Sequence, residues 1–202
     1  MWHNFNRSLW FCKKVRNVTD VSIFLDVNEN LRKYFKINRD IKKRKYKKKE
    51  IIYEIKRRKK DSNLYIKKQK KYADIVFHID PLNKKSVINT NNKKWVDTKI
   101  RLIIKKKINK YLFKKIISKT FRNYKFKEEK EYLALEINSN DIHIENFKDE
   151  LKKISMNLDE ILAISPKYLD KECGVIQFII LFFIFDRIKN QRKKESFFFD
   201  LS

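Results

Sequence analysis

The densest chemistry in this sequence of 202 residues lies between Lys36 and Lys71, where 18 Lys and Arg stand against four acids, Asp40, Glu50, Glu54 and Asp61. That stretch alone carries an excess of 14 positive charges out of a net +26. Such a concentration suits phosphate-bearing partners, because cations neutralise phosphoryl oxygens and gain affinity for polyanions by releasing counterions. Arg39 and Arg44 are the sharper tools within it: a guanidinium fork binds a phosphate through two parallel N–H bonds, where lysine acts as a point charge. Asp40 follows Arg39 directly, placed either to orient that guanidinium or to pair with it at the surface. Lys42, Lys43, Lys45 and Lys47 to Lys49 read as a solvated cationic face.

The elements that must position these groups are legible on both sides. Val21-Ser22-Ile23-Phe24-Leu25 alternates with a period of two, as a strand with one buried face does. Asp26 and Asn28 end it, and Asn28 caps a helix whose first turn holds Glu29. At ~100° per residue, Leu31, Tyr34, Ile37 and Ile41 share one helical face, with Lys36, Arg39, Asp40 and Lys43 opposite. A break at Arg44-Lys45-Tyr46 precedes a second short helix, striped by Ile51, Ile52 and Ile55, with Glu54 spaced i,i+4 from Arg58. Ala73 to Ile79 then forms a second strand. Strand, helix, basic excursion, helix, strand is an α/β crossover in a mostly parallel sheet.

Leu25-Asp26-Val27, Arg39-Asp40, Arg44, Ile55, Arg58-Lys59, Asp61, Tyr65-Ile66, Gln69-Lys70 and Tyr72-Ala73-Asp74-Ile75-Val76 stand in the order and spacing of a known family. The segment resembles the phosphoribulokinase/uridine kinase family, closely from about Asp20 to Phe77 and further into Thr98-Lys99-Ile100-Arg101-Leu102-Ile103. Gln69 and Arg58-Lys59-x-Asp61 lean towards the phosphoribulokinase branch, since uridine kinases usually carry threonine at the position of Gln69. The resemblance implies a partial P-loop-kinase-like α/β fold with a basic helical lid, in which Lys36, Arg39, Arg44, Arg58 and Lys59 meet the phosphates of nucleotide and substrate and Asp40 orients them. It also implies Mg²⁺ and ATP as cofactors, and a phosphorylated sugar or a nucleoside as the group that receives the phosphoryl. Two positions depart from the family: Lys45 stands where a glycine usually follows Arg44, and Lys68 where a proline usually precedes Gln69.

A kinase of this kind needs G-x-x-x-x-G-K-[ST], whose backbone N–H groups close around the phosphates. The only glycine here is Gly174, so these 202 residues contain no such loop. The family's upstream acidic segment and its catalytic base are absent too. The reading is therefore of the C-terminal, lid-bearing part of a kinase, inactive alone, either truncated or one piece of a split protein. Its expected partner is a missing N-terminal half or a second copy.

The remainder bounds the function less sharply. With 42% apolar and 14% aromatic residues the chain should fold despite 38% charge. Only 11 of its 51 cations are Arg, and the lysine excess beside abundant Ile, Asn and Phe reads as codon drift. A non-catalytic RNA- or polyanion-binding protein is the alternative; its mark would be aromatics exposed among the cations, from Tyr34, Tyr46, Tyr53 and Tyr65. Nucleic acid is the disfavoured partner, because Tyr34 is better placed in the core. A remnant without activity is a third reading. Cys12 and Cys173 lack metal or redox spacing, read as small apolar residues, and fit a reduced, cytoplasmic setting. His78, Trp95, Tyr111 and His143 read as packing residues.

The chain divides into an unassigned segment 1–19, a kinase-like region 20–105, a small α+β C-terminal region 106–190 and a frayed tail 191–202. Polar residues from Asp80 to Lys93 form a connection. Trp95 to Ile104 and Leu133 to Ile137 read as strands, Ile142 to Ile144 as a short strand, and Phe147 to Ile164 as a helix. The apolar run Val175 to Phe185 is far shorter than the ~20 residues of a bilayer span and reads as a buried helix rather than an anchor.

Overall fold

The computed structural model of the protein describes residues 19, 21–88, 96–105, 108–138, 169 and 171–199, with the side chains of the last helix described for 173–188. Two compact units divide it: Met1–Lys106 with Phe126–Glu136, and Lys107–Lys125 with Ile137–Ser202.

The sheet has the order β1-β2-β3-β5-β4, where β1 is Ile23–Val27, β2 Ile75–Pro81, β3 Thr98–Ile104, β4 Tyr124–Glu128 and β5 Leu133–Asn138. β1 and β2 are parallel, Ile23 opposite Ile75 through Val27 opposite Ile79. β2 and β3 are antiparallel, Ile75 opposite Ile104 through Pro81 opposite Thr98. The fold is thus α/β, with a mixed sheet that begins on the expected parallel crossover. Ile75, Phe77, Ile100 and Leu102 are completely buried, as the alternation in these strands requires.

The crossover runs through α1 (Glu29–Arg44) and α2 (Lys48–Asp61), then a π-helical turn (Ser62–Ile66) and a 3₁₀ turn (Lys67–Tyr72). Asn28 caps α1 as its sequence suggests, its Oδ1 accepting from the N–H groups of Asn30 and Leu31. Leu31 and Tyr34 are buried, while Ile37 joins Ile51 and Ile55 of α2 in a small apolar cluster. Ile41 and Ile52 lie outside that seam and are exposed.

Both ends of the crossover are fastened by polar side chains. At the strand starts, Ser22 donates from N and Oγ to Asp74 Oδ2 at 2.8 and 2.7 Å. At the strand ends, Asn28 Nδ2 donates to Asp80 Oδ1 at 2.9 Å and Asn28 N to the carbonyl of Ile79. The cationic excursion therefore leaves and re-enters the sheet at fixed points.

In the second unit, α3 (Lys110–Thr120) and α4 (Lys171–Phe199) share aromatic contacts, with Phe113 and Phe182 ring centroids 5.1 Å apart. Val175, Phe178, Ile179 and Phe182 of α4 are buried, and among the described residues no helix is long and apolar enough to cross a membrane. Gly174 matters here: a Cβ on it would lie 2.2 Å from the Leu169 carbonyl oxygen, while Gln177 Oε1 accepts from Leu169 N at 2.9 Å.

Several expectations change. Asp26 lies within β1 rather than ending it. Tyr111 is 77% exposed and packs against no core, since it faces outward from the first turn of α3. Cys173 is exposed instead of buried. α4 continues through residues 190–199, where a frayed tail was expected. The expectations for Cys12, Trp95, His143, the strand at 142–144 and the helix at 147–164 lie outside the described residues.

Candidate phosphate-binding lid

The last turn of α1 brings three of the expected site residues together around one carboxylate. Arg39 Nε donates to Asp40 Oδ1 at 2.8 Å, Lys36 Nζ donates to Oδ2 at 3.1 Å, and Arg44 Nη1 stands 3.6 Å from Oδ1. Asp40 is not on a solvated face, as helical periodicity suggests; its side chain is only 2% exposed. Its cationic partners remain open to solvent, Arg39 at 50% and Arg44 at 53%.

This arrangement holds guanidinium groups in place without consuming them. Arg39 spends its Nε–H on Asp40 and keeps its terminal N–H groups for another acceptor. The hydrogen bond from Arg39 is the chief reason the Asp40 carboxyl titrates at about 2, with Lys36 adding to it and burial opposing. Arg39 is correspondingly held more firmly in its charged form.

The backbone fixes the same point. Lys45 adopts φ 59° and ψ 24°, the left-handed conformation that ends a helix, and the carbonyl of Asp40 accepts from the N–H groups of Lys45 and Tyr46. Lys45 is the only non-glycine residue with positive φ among the described residues. The backbone keeps the shape that glycine would favour although the residue is lysine.

Arg58 and Lys59 are not described in contact with this cluster. Arg58 Nε lies 3.5 Å from Glu54 Oε2, the i,i+4 pair read from the sequence, and Lys59 is exposed on α2.

A second cluster has no signal at short range in the sequence. Asp26 Oδ2 accepts from Lys70 Nζ at 2.6 Å and lies 3.1 Å from His78 Nδ1. His78, which shows no partner at useful spacing in the sequence, faces Asp26 across the parallel register. Burial, and then the Lys70 ammonium, push the imidazole pKa below its usual value, with the Asp26 carboxylate opposing. The signal for Lys70 was its place beside Gln69; its partner lies 44 residues away.

Beside the N-cap of α1, a polar cleft of about 390 Å³ is lined by Asn28, Asp80, Lys84, Lys99, Arg101 and Glu136, among others. It opens where the parallel pair β1 and β2 ends, the usual place for ligands in α/β sheets. Among the described residues, no group of three or more His, Cys, Asp or Glu is arranged to hold a metal.

Comparison with known proteins bears directly on the cationic crossover. Residues 9–86 match the Phosphoribulokinase / Uridine kinase family. The family resemblance carried by Leu25-Asp26-Val27 and Arg39-Asp40 is therefore shown for this segment. The phosphoribulokinase of Synechocystis sp. is 36% identical over 69 residues, 34% of this chain and 21% of that protein. The chloroplastic phosphoribulokinase of Spinacia oleracea is 38% identical over 68 residues, covering 34% and 17%. That of Arabidopsis thaliana is 35% identical over 95 residues, covering 47% and 23%. The chain thus spans about a fifth of the length of these relatives, and the matched part contains the cationic crossover.

Proposed function

We propose that this chain supplies the phosphate-binding lid of an ATP-dependent kinase that transfers a phosphoryl group to a hydroxyl of a sugar phosphate or nucleoside. The observation that carries the reading is the convergence of Lys36, Arg39 and Arg44 on buried Asp40, inside the segment that matches the kinase family. Phosphoryl transfer needs little covalent participation from protein groups; it needs positioning and neutralisation of charge on the transferring group. Guanidinium groups preset by a carboxylate meet that need, because they lose little freedom on engaging phosphate.

The half-exposed Arg39 and Arg44 fit the phosphates of ATP. A magnesium ion would supply charge neutralisation between those phosphates, and the described residues of this chain offer it no cluster of ligands. Arg58 and Lys59 would join the phosphates on closure of α2. Since the 202 residues contain one glycine and no glycine-rich phosphate loop, the chain alone should release no ADP from Mg-ATP with ribulose 5-phosphate.

The test reconstitutes the chain with a P-loop half taken from a related kinase. Arg39→Ala and Arg44→Ala should each lower kcat by about 10²-fold, whereas Lys42→Ala and Lys43→Ala, in the same helical turn, should change it less than about twofold. Equal effects from all four would show a generic cationic face and defeat the reading.

A further inference from the structure

α2 presents a face that the kinase reading does not use. Ile51 and Ile55 bury its inner side, and Tyr53, two residues from each, points directly away from them with 66% of its surface exposed. At ~100° per residue, Lys49, Lys56, Arg57 and Lys60 all fall within about 60° of Tyr53. The helix's acids, Glu50, Glu54 and Asp61, gather on one flank, about 60 to 100° round. The outward face is thus an aromatic ring flanked by cations, with Glu50 at its edge and Glu54 and Asp61 further round. Arg57 pairs with Glu54 at 2.8 Å, while no carboxylate pairs with Lys49, Lys56 or Lys60 among the described residues.

Two more exposed tyrosines flank the helix in sequence. Tyr46 precedes α2 and is 53% exposed; Tyr65, in the π-helical turn that follows it, is 49% exposed. Tyr34, just before the cationic run, is buried, and Tyr46, Tyr53 and Tyr65 within it are exposed; Tyr72, Tyr111, Tyr124 and Tyr132 are exposed outside it, so it is the surrounding cations, not exposure alone, that set Tyr53 apart.

Water-exposed aromatic rings contribute nothing to the core, and a solvated lysine face has no use for them. Rings interleaved with unpaired cations have the chemistry that holds single-stranded nucleic acid: cations track the phosphates and the ring stacks on a base. A membrane surface would instead ask for a broad apolar face, which α2 turns inward. We infer that the outer face of α2, centred on Tyr53, binds single-stranded nucleic acid. The inference does not rest on the kinase reading, since it uses Tyr53, Lys49, Lys56 and Lys60 rather than Arg39, Arg44 and Asp40.

The experiment uses the full chain and a fluorescein-labelled 20-nucleotide oligouridylate, followed by anisotropy across a salt series. Binding should weaken as salt rises. Tyr53→Ala should reduce affinity about tenfold at unchanged salt slope, and Tyr53→Phe should restore it. Replacing Lys49, Lys56 and Lys60 together by Gln should lower the slope of log K against log salt by about 2. Far-UV circular dichroism should be the same for all variants, because every altered side chain is exposed. Three results would overturn the inference: no binding at 150 mM salt, equal binding by wild type and Tyr53→Ala, or a Tyr53-dependent preference for phosphatidylserine vesicles over the oligonucleotide.

Discussion

Asp40 does two jobs with one residue: its carbonyl ends α1 and its carboxylate gathers Lys36, Arg39 and Arg44. Because its folded pKa of about 2 lies below the ordinary 3.8, its contribution to stability is complete above roughly pH 4 and is lost as pH falls towards 2. Asp40→Asn should therefore flatten the acid limb of a urea-denaturation series between those values, while an unchanged limb would show that the carboxylate is not held by its cations. His78 acts in a different window. Its pKa is depressed by burial, so the unfolded chain binds the proton more readily, and stability should fall as pH drops below 6.5. His78→Gln should remove that slope. Lys45 offers a third test at this scale. A non-glycine residue at φ 59° costs roughly 1 to 2 kcal/mol, so Lys45→Gly should raise the denaturation midpoint by the equivalent of about 1 kcal/mol after glycine's own entropy cost.

Secondary-structure elements show where sequence reasoning reaches and where it stops. The β1–α1–α2–β2 crossover, the Asn28 cap, the break at Lys45 and the Glu54 to Arg58 pair were all legible, because each depends on residues within a few positions of one another. Contacts that form only after folding were not. Asp40 follows buried Ile37 by three residues and is itself buried, although its charge makes it read as part of the solvated face. The Lys70, Asp26 and His78 cluster needs the parallel register before its members meet. α4 shows the same limit in reverse. Gly174, in the sequence only a lone glycine, has a steric reason in the structure: the Leu169 carbonyl occupies the space of a side chain. Gly174→Ala should destabilise the protein by about 1 to 3 kcal/mol, since backbone must move to admit the methyl group. Gln177→Leu should cost about 1 kcal/mol through its lost bond to Leu169 N. A thermal melt of each variant checks both, and a neutral Gly174→Ala would contradict the close approach.

At the scale of the whole molecule, the question is what lies beyond β1. It is one of the two edge strands of the five, opposite β4, and among the described residues its outer edge pairs with no other strand. The sequence suggests an apolar patch around Ile23, Leu25, Ile75 and Phe77. Only half of that patch is present: Ile75 and Phe77 are fully buried, whereas Ile23 is 38% and Leu25 52% exposed. An outer strand with exposed apolar side chains and free backbone groups is adhesive, because it can gain a ladder and bury surface at once. The purified chain should therefore self-associate in a concentration-dependent way, and a P-loop half from a related kinase, added in excess, should suppress that association by occupying the edge. Leu25→Lys, which places a charge where natural edge strands carry one, should raise the monomer fraction in sedimentation velocity without altering the Asp26 to Lys70 pair on the other face of β1. A chain that stays monomeric at high concentration, with β1 amides as protected from exchange as those of β2, would show that the edge is already covered and that no second half is needed to complete the sheet.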